Sequence, residues 1–170
     1  MKNKLLIAAL AIIIGACAMK EAYTITVESS GTKIATGKLT RSLLETDKDF
    51  AGWFKYEYSA YQPEKTSTAF LDSTMKDKTC IVFLGTWCSD SRRDVPRMLK
   101  VLDSAKVSEK NISLYGVDRL KKCESGLAEK YHITRVPTLI ILKDSTEVGR
   151  IVEKPTETID RDMVKLIKKF

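Results

Sequence analysis

Histidine is nearly absent from this chain. His132 is the only one in 170 residues. Metal-ligand spacing is therefore missing, and no serine or carboxylate constellation accompanies the lone imidazole. A structural or exposed role is expected for it. No apolar run is long enough to span a bilayer, since the longest, over residues 5–14, is about half the length a spanning helix needs. Internal repeats and low-complexity tracts are also lacking. Basic residues outnumber acidic ones, 29 to 22, but they are spread along the chain. There is no basic stripe interleaved with aromatics and no nucleic-acid motif, so the excess reads as a solvated surface. Cysteine is sparse, with four in all, and no two stand as Cys-x-x-Cys. A dithiol redox site of that form is excluded.

The amino terminus has the pattern of an export signal. Lys2 and Lys4 precede the ten-residue apolar run. Ile14-Gly15-Ala16-Cys17 then resembles the lipobox of bacterial lipoproteins, with Ile14 in place of the usual leucine. In such proteins the cysteine is lipidated and becomes the new terminus. We expect residues 1–16 to be a signal peptide, Cys17 to carry the lipid and residues 17–22 to be a short tether. An ordinary secretory signal and an uncleaved anchor are the alternatives. The remainder suits one domain with one core. Without Lys2 and Lys4, 27 basic and 22 acidic side chains remain.

The most informative stretch is Phe83-Leu84-Gly85-Thr86-Trp87-Cys88-Ser89-Asp90-Ser91. An apolar run ends in a Gly-Thr-Trp turn, and a cysteine follows where a helix should begin. The first-turn amides of a helix are unpaired donors, and the helix dipole favours an anion there. Cysteines so placed ionise more easily than a free thiol, whose pKa is about 8.5. The thiolate is the nucleophile of disulfide exchange. Arg92 and Arg93 add positive charge within a turn, and Asp90 opposes it. Ser91 occupies the position of a resolving cysteine. Its hydroxyl is a candidate hydrogen-bond donor to the Cys88 thiolate, but it cannot form a disulfide. A buried, inert Cys88 is the competing reading.

The chain resembles the thioredoxin superfamily over residues 79–170. The resemblance rests on Trp87-Cys88 after an apolar strand, on Pro96 eight residues later, and on Tyr131-His132-Ile133-Thr134-Arg135-Val136-Pro137-Thr138. The run from Thr86 to Arg97 and the segment Gly149-Arg150-Ile151-Val152-Glu153 are also similar to a Bacteroidetes-type group of thioredoxin-like proteins. The resemblance implies an α/β, thioredoxin-like fold, a central mixed sheet flanked by helices. It also implies that Pro137 is a cis-proline and that Val136 pairs with the backbone of an extended substrate opposite Cys88. Two family features are missing. Val82 stands where thioredoxins carry a buried aspartate, and Leu114 where its accompanying lysine is found.

The other thiols are read more plainly. Cys80 starts the strand leading to Cys88, more than about 20 Å away along nearly extended chain, and is a core or edge residue. Cys123 follows the next strand and its loop. It is either a resolving partner on the active-site side or a helix-start residue beyond the Cα separation of about 7 Å that a disulfide permits.

Before the core, residues 23–76 are expected to form an N-terminal extension packed on the thioredoxin-like domain of residues 77–170. Strands are expected over 23–27 and 33–39. A helix is expected over 47–61 with Phe50, Trp53, Phe54, Glu57 and Tyr61 on one face, read as core packing or, alternatively, as a peptide-binding surface. A second helix covers 64–76. The core should then run strand 80–84, helix 91–105, strand 112–117, helix 124–131, strand 138–142, strand 147–152 and helix 156–169.

These readings converge on an exported monothiol thiol–disulfide oxidoreductase, lipid-anchored at the cell envelope or in the periplasm. Cys88 would attack, Trp87 would wall the thiol, Ser91 and the helix amides would stabilise the thiolate, and Val136 and Pro137 would present the substrate. The expected partners are protein thiols and disulfides, a thiol or redox protein as electron donor, and the membrane through the lipid on Cys17. No cofactor, metal or nucleic acid is expected. The rivals are a binding module that holds a partner without turnover and a dithiol enzyme using Cys88 with Cys123.

Overall fold

The computed structural model describes residues 23–170. The signal, lipobox and tether expected over residues 1–22, Cys17 included, lie outside the described residues. No helix among the described residues is long and apolar enough to cross a membrane.

The chain forms strands β1 (Tyr23–Val27) and β2 (Lys33–Leu39), then helices α1 (Arg41–Thr46), α2 (Ala51–Ala60) and α3 (Lys65–Thr74). The core follows as β3 (Lys78–Leu84), α4 (Ser89–Ser104), β4 (Ile112–Gly116), α5 (Leu127–Lys130), β5 (Thr138–Lys143), β6 (Thr146–Val152) and α6 (Ile159–Lys169). All six strands join one sheet in the order β1-β2-β4-β3-β5-β6. Only β3 and β4 run parallel; every other pairing is antiparallel.

The first two strands do more than pack on the core. β2 pairs with β4, Leu39 opposite Leu114 and Gly37 opposite Gly116, so the hairpin extends the central sheet. Gly116 permits this approach, because a Cβ there would stand 2.1 Å from the Ala35 carbonyl oxygen. A helix over 41–46 was not expected. It starts where the Thr40 hydroxyl accepts the Leu43 N–H at 3.1 Å, the usual chemistry of a helix N-cap.

α2 begins at Ala51, later than expected, with Phe50 as its N-cap. Phe50 and Phe54 are fully buried, and Tyr58 stacks on Phe54. The aromatic face packs mainly on α4, as the core reading requires. Tyr56, off the stripe, is exposed. The largest correction concerns residues 124–131, of which only Leu127–Lys130 are helical. Gly126 takes a left-handed φ of 65° at the helix start, and the polar run before it forms turns.

Two apolar layers sandwich the sheet. One holds α2, α3, α4 and α6 around residues such as Leu84, Leu99 and Met163. The other is smaller and gathers Phe83, Val117, Ile133, Val136 and Ile140 on the opposite face. Alternation along β3 sends Val82 and Leu84 to the first layer and Phe83 to the second. Burial of this apolar surface is the main favourable term holding the sheet and helices together.

Candidate active site

The site forms where β3 ends. The Gly85-Thr86-Trp87 turn closes when the Cys88 N–H donates to the Gly85 carbonyl at 2.9 Å. Cys88 is then the N-cap of α4, with φ −90° and ψ 125°, and its carbonyl accepts the Arg92 N–H at 3.0 Å. The thiol therefore sits at the positive end of a sixteen-residue helix. It is half-buried, and Sγ donates to the Val136 carbonyl at 3.4 Å. Val136 and Pro137 are joined by a cis peptide bond and are both buried. Four residues singled out from sequence, Trp87, Cys88, Val136 and Pro137, are thus brought to one edge.

Trp87 is fixed from three sides. Its Nε1 donates to the Val117 carbonyl at 3.1 Å. Its ring lies on Gly85, where a Cβ would come within 2.7 Å of the indole. Over the ring stand the Arg119 guanidinium at 5.1 Å and the Lys121 ammonium at 5.7 Å, within the range of cation–π attraction.

Ser91 is buried, and the hydrogen bond found for its hydroxyl is to the strand end rather than to Cys88. Its Oγ accepts the Gly85 N–H at 3.1 Å. The serine thus ties the first turn of α4 to the turn that carries the thiol. The charges around it are also paired. Arg93 binds Asp90 at 2.8 Å and the buried Asp94 at 2.6 Å, so Asp90 faces an arginine. Arg92 reaches back to the Thr86 carbonyl at 2.6 Å.

Thr86, which sequence reasoning passed over, is fully buried. Its hydroxyl accepts the Ala35 N–H at 3.0 Å and donates to the Lys33 carbonyl at 3.1 Å. The active-site turn is thereby clamped to β2. A second tie runs from the turn after β1 to the site, where Glu28 holds Arg119 through two contacts of 2.6 and 2.7 Å. Neither link carries a sequence signal, because both partners are separated by more than fifty residues.

The three cysteines among the described residues are unpaired. Cys123 lies in the turns before α5 rather than at a helix start, buried in the same apolar layer that Trp87 and Cys88 border. Its Sγ is 3.2 Å from the Ser125 hydroxyl. Cys80 is enclosed between Ile112 and Ile141 on the flanking strands, and burial pushes its thiol up to about 12. His132 is exposed, with φ 52°. No group of residues able to hold a metal ion occurs among the described residues.

Known proteins resemble this chain at the level of the family. The thioredoxin family model matches residues 62–168. A thioredoxin of Echinococcus granulosus is 30% identical over 84 residues, which are 48% of this chain and 73% of that one. Among solved structures, mitochondrial thioredoxin 3 of Saccharomyces cerevisiae in its oxidised form aligns with a TM-score of 0.38 and 21% identity, covering 67% of this chain and 99% of that one. A protein of unknown function from Pseudomonas aeruginosa aligns with a TM-score of 0.47 and 15% identity, over 69% of this chain and 79% of that one. A sheet in which β3 delivers a cysteine to the start of α4, together with a family match over residues 62–168, leads to one conclusion: this chain belongs to the thioredoxin family.

Proposed function

We propose that the protein is a monothiol thiol–disulfide oxidoreductase of the cell envelope, acting on protein disulfides through Cys88. The observation that carries this reading is the placement of the Cys88 thiol at the start of α4 and 3.4 Å from the Val136 carbonyl. The thiol faces the positive end of the helix dipole there. An extended substrate laid along Val136 would bring its disulfide to Sγ.

In the reaction, the Cys88 thiolate attacks one substrate sulfur. A mixed disulfide forms, and the other substrate sulfur leaves as a thiolate. Ser91 cannot resolve the adduct. A second cysteine of the substrate restores Cys88 with no net electron transfer, which is isomerisation. Two molecules of a small thiol, or one dithiol redox protein, instead supply two electrons and leave as a disulfide, which frees Cys88 and the second substrate thiol; this is reduction. Export and a lipid on Cys17 belong to the same proposal, supported by the pattern of residues 1–17.

The test is to mix the reduced protein with scrambled, disulfide-bonded ribonuclease and locate adducts by mass spectrometry. A ribonuclease adduct on Cys88, absent from Cys88→Ser and accompanied by recovery of native ribonuclease, supports the proposal. A Cys88→Ser protein that still retains its partner, with no adduct on the parent, would instead identify a binding module. The apolar pairing of Val82 with Leu114, which offers no proton acceptor under the site, is the feature that favours this second reading.

A further inference from the structure

Beside the thiol, a rigid basic turn borders a groove with no assigned use. Residues 118–122 close on themselves. The Asp118 N–H donates to the Lys122 carbonyl at 3.0 Å, the Lys121 N–H to the Asp118 carbonyl at 3.0 Å, and the Lys122 N–H to Asp118 Oδ1 at 2.8 Å. The turn presents Arg119, Leu120 and Lys122 outward, and Leu120 is 75% exposed, while Lys121 is half-buried and its ammonium donates to the Arg119 carbonyl at 3.0 Å.

The charges of this turn differ in their commitments. Arg119 is held by Glu28. For Lys121 and Lys122 no carboxylate partner is found among the described residues. Both line a groove of about 330 Å³ with Leu120, His132, Ile133 and Thr134. Glu129 is its one carboxylate. One lining residue, Lys121, also holds its ammonium over Trp87. Another, Thr134, is two residues before Val136, which meets the thiol.

We propose that this groove binds an acidic, extended segment of the substrate protein. An apolar side chain of that segment lies against Leu120 and Ile133, and neighbouring carboxylates face Lys121 and Lys122. Trp87, Cys88 and Val136 do not line the groove. An occupant engaged at the thiol must therefore reach past Trp87 to enter it, which a polypeptide does and a small thiol does not. The opposite charge of the rim selects among polypeptides and raises their encounter rate. This inference rests on the exchange reaction proposed for Cys88 and names its substrate class.

The experiment uses three synthetic peptides, each with one cysteine activated as its neutral 2-pyridyl disulfide. The cysteine is followed by Glu-Leu-Glu, Gln-Leu-Gln or Lys-Leu-Lys. Attack by Cys88 on the peptide sulfur forms the mixed disulfide and releases 2-thiopyridone, which is followed by absorbance. The acidic peptide is expected to react about tenfold faster than the neutral one, within the range of electrostatic steering. Salt at about 0.5 M should remove most of that advantage, and the double variant Lys121→Glu/Lys122→Glu should reverse the order. Equal rates, a faster basic peptide, or an acidic preference that survives the double variant would each overturn the inference. Serine versions of the peptides separate binding from chemistry, with the indole N–H resonance of Trp87 as readout. If no peptide reacts but only the acidic one shifts that resonance, the exchange reaction fails and the docking assignment stands. If none reacts and none shifts it, both fail.

Discussion

Val82 on β3 and Leu114 on β4 are register partners in the one parallel pair of the sheet, both buried, on the strands that flank the candidate active site. Neither can accept or deliver a proton. The site therefore lacks two things at once, a thiol at position 91 and an acid–base group at positions 82 and 114. Restoring the first alone should not create a fast dithiol reductase. In Ser91→Cys, oxidation is expected to remove two more free thiols than in the parent protein, counted with a thiol reagent after denaturation. Turnover with a protein disulfide and a thiol reductant should stay within about tenfold of the parent, because a positioned acid–base group typically contributes 10²–10⁴-fold, about two to four powers of ten. A thousandfold rise would show that Val82 and Leu114 do not limit the reaction.

The clamp between Thr86 and β2 should be costly to remove. Thr86→Val keeps the shape of the side chain and deletes the hydroxyl. The Ala35 N–H and the Lys33 carbonyl lose their partner at a fully buried position. A loss of about 1–3 kcal/mol is expected for such groups. Urea unfolding should show a lower midpoint with an unchanged slope, and Thr86→Ser should recover most of the loss. A midpoint equal to the parent's would mean the clamp contributes nothing to stability.

The thiols should separate by accessibility. Cys88 is half-buried at the protein's edge, whereas Cys123 and Cys80 are buried. Under native conditions iodoacetamide should label Cys88 first among these three. Cys123 should follow only on local opening of its turn, and Cys80 only on unfolding. Peptide mapping after timed quenching measures this order. Labelling of Cys80 as fast as Cys88 would contradict the buried placement of β3.

Stability should fall on the alkaline side. The Cys80 thiol, ordinarily near 9.0, is pushed to about 12 by burial. The Tyr61 phenol, ordinarily near 10.0, is raised to about 12 by burial and by its hydrogen bond to Asp160. Above the ordinary values the unfolded chain loses these protons while the folded chain keeps them. The contribution is thus complete below about pH 9 and is lost as pH rises toward 12. Urea midpoints taken at intervals from pH 8 to about pH 11 should decline, with a shallower decline in Tyr61→Phe. Identical slopes in the two proteins would exclude Tyr61 as a source.

Much of the architecture is legible in the chain because its signals are local. The alternation of Tyr23-Thr24-Ile25-Thr26-Val27 and the turn residues after it give β1 and β2 with the expected limits. The apolar run before Gly85 and the period of Val95, Met98, Leu99 and Leu102 give β3 and α4. Residues 124–131 mislead because their helix-forming composition competes with turns, and Gly126 in a left-handed conformation confines the helix to Leu127–Lys130. α1 escapes notice because it is six residues long and depends on the Thr40 cap and on burial of Leu43 and Leu44.

By itself, the sequence determined the strand–turn–cysteine–helix unit and the absence of a second thiol at Ser91. Both follow from residue identity and short-range periodicity, whereas the resemblance to thioredoxins is what marks Val82 and Leu114 as replacements of a buried aspartate and its lysine. Only the tertiary structure decided what surrounds that unit. It turned Ser91 toward Gly85, clamped Thr86 to Lys33 and Ala35, and set Arg119 and Lys121 over Trp87. Apart from the Ser91–Gly85 bond, those contacts join residues far apart in the chain, and they exist because β2 and β4 pair in one register and leave their ends at the same edge as Cys88.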